Sequence, residues 1–282
     1  MAKDTQPTDK SLDVNGLTLH YLDWGNESAP PMVLLHGFSG HAHTWDTFAR
    51  AMSGEYRVLA LDQRGHGDSG WAKDGAYTVD DHAGDLRLFE ERLGIAPGVL
   101  IGLSMGGRNA MRFAASQPGR VERLVIVDIG PDIAPQGAER VRRTAAEAPE
   151  EFASVDDAAA YLRRQAVFMT PAAETALRHR VEHGLKPLPG GGYTWKYDRF
   201  LREQRRAGGA PPVDLWPAVR RIQAPTLIVR GAESDVFSPE TAKRMHEMIP
   251  GSRLIEIPGA GHSVPADQPE AFERAVRAFL GA

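Results

Sequence analysis

Cysteine is missing from the 282-residue sequence. Its absence excludes disulfide bonds, thiolate nucleophiles and cysteine-ligated metal ions, and it is typical of a reducing compartment. Long apolar runs are missing too, since none approaches the roughly 18 residues that a membrane-spanning helix needs. The N-terminal sequence MAKDTQPTDK is polar and has no apolar region of the kind found in signal peptides. We therefore expect a cytoplasmic protein without a membrane partner.

Blocks of basic residues are also scarce. The 33 lysines and arginines and the 37 aspartates and glutamates give a formal net charge of −4. We interpret the short run REQRR at Arg202–Arg206 as a solvated helix face, and we expect no nucleic-acid partner. The composition, 42% hydrophobic and 25% charged, is that of an ordinary globular enzyme. The length allows one large core with an insertion, or two small domains.

Short apolar runs alternate with longer amphipathic stretches along most of the chain. The runs are rich in Val, Ile and Leu and too short for helices, which predicts strands buried on both faces of a parallel sheet. They occupy residues 32–35, 57–61, 99–101, 124–127, 226–229 and 253–257. Apolar residues at helical spacing lie between them, over residues 81–93, 105–116, 240–248 and 270–280. Strands alternating with helices predict βαβ units.

Two parts of the chain depart from this alternation. Residues 12–24 contain two alternating runs around Asn15-Gly16, which predicts an antiparallel hairpin at the sheet edge, after a flexible tail at 1–11. Residues 131–212 show no buried-strand run and are rich in Ala, Glu and Arg, with helical segments near 137–148, 156–168 and 171–183. We predict that this segment is a helical insertion, with Gly208–Pro212 as its exit hinge. The core would then comprise residues 12–130 and 213–282.

The strongest motif is G-L-S-M-G at residues 102–106, between a predicted strand and a predicted helix. A serine on such a turn is held out from the sheet, where its Oγ can reach a substrate carbonyl. Flanking glycines relieve steric clashes, and the helix N-terminus offers N–H groups to a developing oxyanion. Ser104 is therefore the candidate nucleophile.

A serine nucleophile needs a base, and the base needs an acid that orients it. His262 follows the predicted strand 253–257 on the Gly-rich loop GAGHS, which makes it the candidate base. Asp235 follows the strand 226–229 and is the leading candidate for the acid, with Glu233 as a surface residue of the same loop. Asp128, at the end of the strand 124–127, is the second candidate, because parallel sheets build their sites at the carboxyl ends of strands.

The loop HGFSG at residues 36–40 follows the predicted strand 32–35. The backbone N–H groups of Phe38 and Met105 are expected to form an oxyanion hole, whereas His36 is expected to be structural. His41 and His43 form an H-x-H pair without a nearby carboxylate–histidine set, so no metal is expected there. No cofactor is implied.

Five motifs together resemble the α/β-hydrolase family, in its cap-bearing branch of serine esterases and C–C bond hydrolases. They are LLHGFSG (34–40), DQRGHGDS (62–69), GLSMGG (102–107), PTLIVRGAESD (225–235) and PGAGHSV (258–264). The resemblance implies an α/β-hydrolase fold, with a mostly parallel eight-stranded sheet flanked by helices and with residues 131–212 as a helical cap. It also implies structural roles for Arg64 and His66. Epoxide hydrolases and haloalkane dehalogenases of this fold carry Asp as nucleophile, so Ser104 argues against both.

GGRNAM (106–111) and GLKPLPGGG (184–192) resemble a subgroup that hydrolyses an enamide of a substituted succinate. In that subgroup the position of the triad acid maps to Asp128, which leaves Asp235 and Asp128 both open. We expect hydrolysis of a small-molecule carboxylic ester through an acyl-Ser104 intermediate. The alternatives are C–C bond or amide hydrolysis with the same triad, and a non-catalytic ligand receptor.

The cap contributes the candidate substrate-binding residues. Phe168, Met169 and Trp195 are apolar residues of the predicted cap that are expected either to line the acyl site or to pack its own core. The pattern favours neither role, and the oligomeric state has no signal in the sequence.

Overall fold

A computed structural model describes residues 5–96, 98–166, 168–208 and 213–281. Its strands are β1 (Thr8–Val14), β2 (Leu17–Asp23), β3 (Pro31–Leu35), β4 (Arg57–Leu61), β5 (Gly98–Leu103), β6 (Val121–Val127), β7 (Glu151–Phe152), β8 (Leu185–Pro187), β9 (Tyr193–Trp195), β10 (Thr226–Gly231) and β11 (Arg253–Ile257). Its helices are α1 (Asp46–Met52), α2 (Val79–Leu93), α3 (Met105–Ser116), α4 (Pro135–Ala146), α5 (Val155–Gln165), α6 (Pro171–Gly184), α7 (Arg199–Arg206), α8 (Trp216–Val219), α9 (Pro239–Met248), α10 (Val264–Asp267) and α11 (Pro269–Leu280). A 3₁₀ turn, Ala42–Trp45, precedes α1.

The main sheet has eight strands in the order β1-β2-β4-β3-β5-β6-β10-β11. The pairs β1–β2 and β2–β4 are antiparallel, and the remaining pairs are parallel. The predicted mostly parallel, eight-stranded α/β-hydrolase sheet is thereby confirmed.

Both faces of this sheet are covered, which explains the continuous apolar runs in the sequence. Along β6, Leu124 and Ile126 belong to one hydrophobic cluster, together with residues of α2 and α3. Val125 and Val127 belong to a second cluster on the opposite face, together with residues of α1 and α11. Successive side chains point to opposite faces of a strand, so a stretch covered on both faces, such as residues 124–127 of β6, needs apolar residues at successive positions.

The predicted hairpin is present at the sheet edge. Asn15 and Gly16 have positive φ angles of 48° and 73°, as the tight turn of a two-residue hairpin requires. The predicted tail is shorter than expected, because residues 8–11 already pair with β2; Lys10, for example, binds Asp23. Residues 1–4 of that tail lie outside the described residues.

The insertion between β6 and β10 is not purely helical. It contains α4, α5, α6 and α7, but also a small antiparallel sheet in the order β7-β9-β8. These strands are only two or three residues long, too short for an alternating pattern to appear in the sequence. The segment packs around its own apolar cluster, which includes Phe152, Tyr161 and Trp195. We call residues 131–212 the cap segment; of its predicted hinge, residues 209–212 lie outside the described part of the chain.

In the part of the chain that the structure describes, no helix combines the length and the apolar character that crossing a membrane requires.

Candidate active site

Ser104 occupies the sharp turn between β5 and α3. Its backbone has φ 54° and ψ −117°, an unusual conformation for a residue with a side chain. The turn depends on its glycines: a Cβ on Gly102 would lie 2.4 Å from the carbonyl oxygen of Gly106, and a Cβ on Gly106 would lie 2.4 Å from that of Leu35. The chain therefore holds the serine out from the end of the strand, as the motif predicted.

His262 lies on the loop after β11 and hydrogen-bonds to Ser104. Its Nε2 is 2.9 Å from the Ser104 Oγ, and its Nδ1 is 2.8 Å from the Oδ2 of Asp128. One continuous chain of hydrogen bonds thus joins carboxylate, imidazole and hydroxyl. The three residues follow β6, β11 and β5, so the site forms where the carboxyl ends of neighbouring parallel strands meet.

Asp128 is fully buried and is held by further donors. Its Oδ1 accepts a hydrogen bond from the Gly231 N–H at 2.8 Å, and its Oδ2 accepts one from the Ser234 hydroxyl at 2.5 Å. The residue itself has a positive φ of 49°. Donors from the loop after β10 therefore fix the carboxylate in the orientation that faces His262.

Asp235, the leading candidate for the acid, is engaged elsewhere, which corrects that expectation. Its two carboxylate oxygens accept hydrogen bonds from Nε and Nη2 of Arg140 at 2.6 and 2.7 Å. This ion pair lowers the pKa of Asp235. The reason lies in the packing of α4: a Cβ on Gly137 would lie 2.4 Å from the Asp235 carbonyl oxygen, so the helix sits directly on the loop and supplies the arginine. Ser234, its neighbour, turns inward instead, and Glu233 is exposed as expected.

The loop after β3 lies beside Ser104. A Cβ on Gly37 would lie 3.2 Å from the Ser104 Cβ, and Phe38 follows directly. Among the hydrogen bonds of the described residues, the backbone N–H groups of Phe38 and Met105 donate to no protein acceptor. Two backbone donors predicted for an oxyanion hole are thus available next to the hydroxyl.

His36 holds this loop in place. Its Nδ1 donates to the Gly37 carbonyl at 2.8 Å, and its Nε2 accepts from the Gln63 N–H at 3.0 Å. Burial lowers the pKa of His36 to about 3, so the ring is neutral. The geometry agrees with the expected structural role.

Arg64 and His66 are also buried in structural contacts. Arg64 donates from Nε and Nη2 to the carboxylate of Asp85 at 2.6 and 2.7 Å. The Nδ1 of His66 bonds the Arg64 carbonyl at 3.0 Å, and burial lowers the pKa of His66 to about 4. Neither contacts Ser104 or His262 through a hydrogen bond in the described part of the chain.

The cap segment brings two arginines that the sequence reasoning missed. Arg205 places its guanidinium 4.7 Å from the ring centroid of Phe38. Arg180 lies on α6, where its carbonyl accepts a hydrogen bond from His41. Burial lowers the pKa of both arginines, and neither forms an ion pair with an acid within the described ranges. Both side chains are half-buried and retain unused hydrogen-bond donors.

The run Arg202–Arg206 is therefore more than the solvated helix face expected from its charge. Arg202 is 3% exposed and, like Arg206, donates to Glu150. Arg205, three residues after Arg202 on the same helix, turns toward Phe38. The local charge pattern gave no signal of this burial; only the packing of α7 reveals it.

The three apolar cap residues have different surroundings. Phe168 is 40% exposed, and its ring would lie 2.9 Å from a Cβ on Gly261, next to His262. Trp195 is 6% exposed, packs edge-on against Phe152 at 5.0 Å, and donates from Nε1 to the Pro149 carbonyl. Met169 is partly buried against the same cap cluster. Phe168 thus borders the loop that carries His262, whereas Trp195 packs the cap's own core.

Comparison with known proteins identifies the family. A protein-family model described as the α/β-hydrolase fold matches residues 30–269 of this chain. The chain is 34% identical to an esterase of Mycobacterium tuberculosis, over 92% of this chain and 85% of that protein. It is 28% identical to 2-(acetamidomethylene)succinate hydrolase of Mesorhizobium japonicum, over 97% of this chain and 95% of that protein.

Solved structures agree with this result. The crystal structure of E-2-(acetamidomethylene)succinate hydrolase superimposes with a TM-score of 0.89 at 27% identity, covering 98% of this chain and 100% of that one. A crystal structure of the M. tuberculosis esterase superimposes with a TM-score of 0.77 at 29% identity, covering 98% of this chain and 92% of that one. With its sheet, its serine turn and these relatives, the chain belongs to the α/β-hydrolase family.

Proposed function

We propose that this protein is a serine hydrolase that cleaves a carboxylic ester through an acyl-Ser104 intermediate. The observation that carries the proposal is the unbroken hydrogen-bond chain from Asp128 through His262 to Ser104, at 2.8 and 2.9 Å. The similarity to a mycobacterial esterase supports it.

In the acylation step, His262 accepts the Ser104 proton at Nε2 while Oγ attacks the carbonyl carbon. The carbonyl electrons move onto the oxygen, where the N–H groups of Phe38 and Met105 would stabilise the negative charge, each contributing about 3 kcal/mol. When the tetrahedral intermediate collapses, the C–O bond breaks and His262 gives its proton to the leaving alcohol. Water then repeats the sequence on the acyl enzyme, releasing the acid and restoring Ser104.

Asp128 does not take the proton in this scheme. Its carboxylate holds the Nδ1–H tautomer of His262, which leaves Nε2 free to accept from Ser104. It also stabilises the imidazolium that forms. Because Gly231 and Ser234 already fix the carboxylate, this orientation exists before substrate binds.

The test is turnover of short p-nitrophenyl esters together with labelling by a fluorophosphonate. We expect wild-type protein to hydrolyse the esters and to be labelled at Ser104. Ser104→Ala should lose both while keeping the wild-type melting temperature. Hydrolysis at the wild-type rate by folded Ser104→Ala would exclude the acyl-Ser104 intermediate.

A second candidate substrate class is an amide or enamide that carries carboxylate groups. Arg180 and Arg205 favour it, because two half-buried guanidinium groups without acidic partners among the described residues suit an anionic ligand. Arg205 stacks on Phe38, whose N–H belongs to the candidate oxyanion hole, so a carboxylate bound there would lie near the reacting carbonyl. The structural similarity to a succinate-enamide hydrolase supports this candidate.

Matched substrates separate the two candidates. We would compare p-nitrophenyl butyrate with mono-p-nitrophenyl succinate, and both with 2-(acetamidomethylene)succinate. If the arginines recognise carboxylates, Arg205→Gln should lower kcat/KM about tenfold or more for the anionic substrates and leave the neutral ester nearly unchanged. Arg199→Gln is the control, since Arg199 lies on the same helix but is exposed and paired with Glu203. Equal effects of Arg205→Gln on neutral and anionic esters would exclude this role.

A further inference from the structure

Three histidines meet where the cap segment contacts the core. His43 belongs to the 3₁₀ turn that follows the candidate oxyanion loop, whereas His179 and His183 lie one helical turn apart on α6. The rings of His43 and His183 stack with centroids 3.6 Å apart, and those of His179 and His183 lie 4.4 Å apart. Each ring offers a nitrogen, and these three nitrogens lie within 4.8 Å of one another.

A carboxylate sits directly behind this cluster. The Oδ2 of Asp46 lies 2.9 Å from the Nδ1 of His43 and 2.8 Å from the Nε2 of His179. The second oxygen of Asp46 is buried and has no hydrogen-bond partner among the described residues. In many metal sites a ligating histidine donates its other ring N–H to a carboxylate, which fixes the ring and makes the free nitrogen a better donor.

The cluster is accessible from solvent. His179 is exposed and the other two rings are half-buried, so an ion can enter from solvent.

We propose that His43, His179 and His183 bind one divalent transition-metal ion of the zinc class, with Asp46 as the hydrogen-bonding partner behind two of the ligands. Imidazole nitrogen suits zinc, copper and nickel, whereas magnesium and calcium prefer oxygen. Histidines at i and i+4 on one helix face are a common zinc pair, and the third ligand comes from the core. A water molecule would complete a tetrahedral shell.

Binding at this site would tie the cap to the core. The metal would link α6 to the turn after the oxyanion loop, next to an existing contact in which His41 binds the Arg180 carbonyl at 2.8 Å. The same helix carries Arg180, which forms no ion pair with an acid within the described ranges. The bound ion would therefore fix the position of a cap helix over the active site.

The H-x-H spacing of His41 and His43 alone predicted no metal site. His41 does not belong to the cluster, because its ring is buried and its Nε2 bonds the backbone of α6. The ligands that complete the site lie more than 130 residues away in sequence, as the 133-residue separation between Asp46 and His179 illustrates. Only the docking of α6 brings them together.

The test is calorimetric titration of the metal-free protein with zinc chloride. We expect one saturable site per chain, a melting temperature that rises with zinc concentration, and no comparable effect of magnesium chloride. His183→Gln should weaken zinc binding at least about tenfold, and His179→Gln/His183→Gln should abolish the saturable site. His246→Gln is the matched control, because His246 lies on α9 and bonds Ser252 away from the cluster.

The variant His262→Gln tests whether zinc binds at the catalytic histidine instead of at the cluster. We expect this variant to bind zinc with wild-type affinity. Loss of binding in His262→Gln with retention in the double variant would overturn the proposal, as would the absence of saturable binding. Zinc X-ray absorption of the wild-type complex provides evidence that does not depend on the folding of variants. We expect three nitrogen ligands at about 2.0–2.1 Å, and a shell of oxygen alone would contradict the site.

Discussion

Replacing the two candidate acids by asparagine provides the sharpest test of the site. Asp128 is fully buried, and its Oδ2 faces the Nδ1 of His262 at 2.8 Å. An amide NH₂ at that position would donate to Nδ1 and so favour the tautomer that carries its proton on Nε2. That tautomer cannot accept the Ser104 proton. Asp128→Asn should therefore lower kcat by about 10⁴-fold, equivalent to about 5.4 kcal/mol of transition-state stabilisation.

Asp235→Asn should have a different effect. Asp235 binds Arg140 in a partly exposed pair, with side-chain exposures of 24% and 19%. Losing this pair should cost about 1 kcal/mol of stability, as for other partly exposed ion pairs. Because no hydrogen bond joins Asp235 to His262 in the described residues, kcat should stay within about threefold of wild type.

The assay is kcat on a p-nitrophenyl ester at saturating concentration, with urea unfolding as the stability control. Both variants should remain folded at the assay temperature, so that the activity difference reports the chemistry. A large loss of kcat in Asp235→Asn together with wild-type kcat in Asp128→Asn would refute the reasoning. Comparable partial losses in both would mean that neither carboxylate alone orients His262.

Three further predictions concern stability, the serine turn and the cap. Burial raises the pKa of Glu90 to about 7. The stability that protonated Glu90 contributes is therefore fully present below the unfolded pKa of 4.5 and is lost as the pH rises through about 7. Glu90→Gln should flatten the fall in melting temperature between pH 5 and 8, and an unchanged slope of melting temperature against pH would contradict this. Gly106→Ala should reduce both stability and turnover because its Cβ would meet the Leu35 carbonyl, whereas Gly54→Ala, with open space around it, should be tolerated in both assays. Phe168→Ala should lower kcat/KM selectively for esters with long acyl chains, at an unchanged melting temperature. Trp195→Ala should lower the melting temperature and reduce kcat/KM equally for all acyl chain lengths. The reverse pattern would exchange the roles of the two residues.

The core of the fold could be predicted from the sequence because the signals of its elements are local. The bounds of β4 and β11 agree with the apolar runs at 57–61 and 253–257, and those of α3 agree with the helical spacing of apolar residues over 105–116. The hairpin at Asn15-Gly16 was predictable because its turn needs two positive φ angles. The serine turn was predictable for a similar reason, as its glycines stand where a Cβ would clash.

The structure of the cap segment was harder to predict from the sequence. Its helices showed a periodic pattern, but β7, β8 and β9 are too short to produce one, and Arg205 looked like any surface charge in its local context. The cytoplasmic location stays a prediction, as does the hinge at the cap's exit.

By itself, the sequence determined the sheet and the serine turn, and it singled out Ser104 and His262 as candidates for nucleophile and base, because each of these signals depends on neighbouring residues. It could not choose between Asp128 and Asp235, since both follow a strand that ends at the same edge of the sheet. Tertiary structure decided that choice by packing α4 so that Arg140 binds Asp235, which leaves Asp128 to face His262. The histidine cluster arose in the same way, because its members come from the core and from a distant cap helix and share a site only after the two pack together.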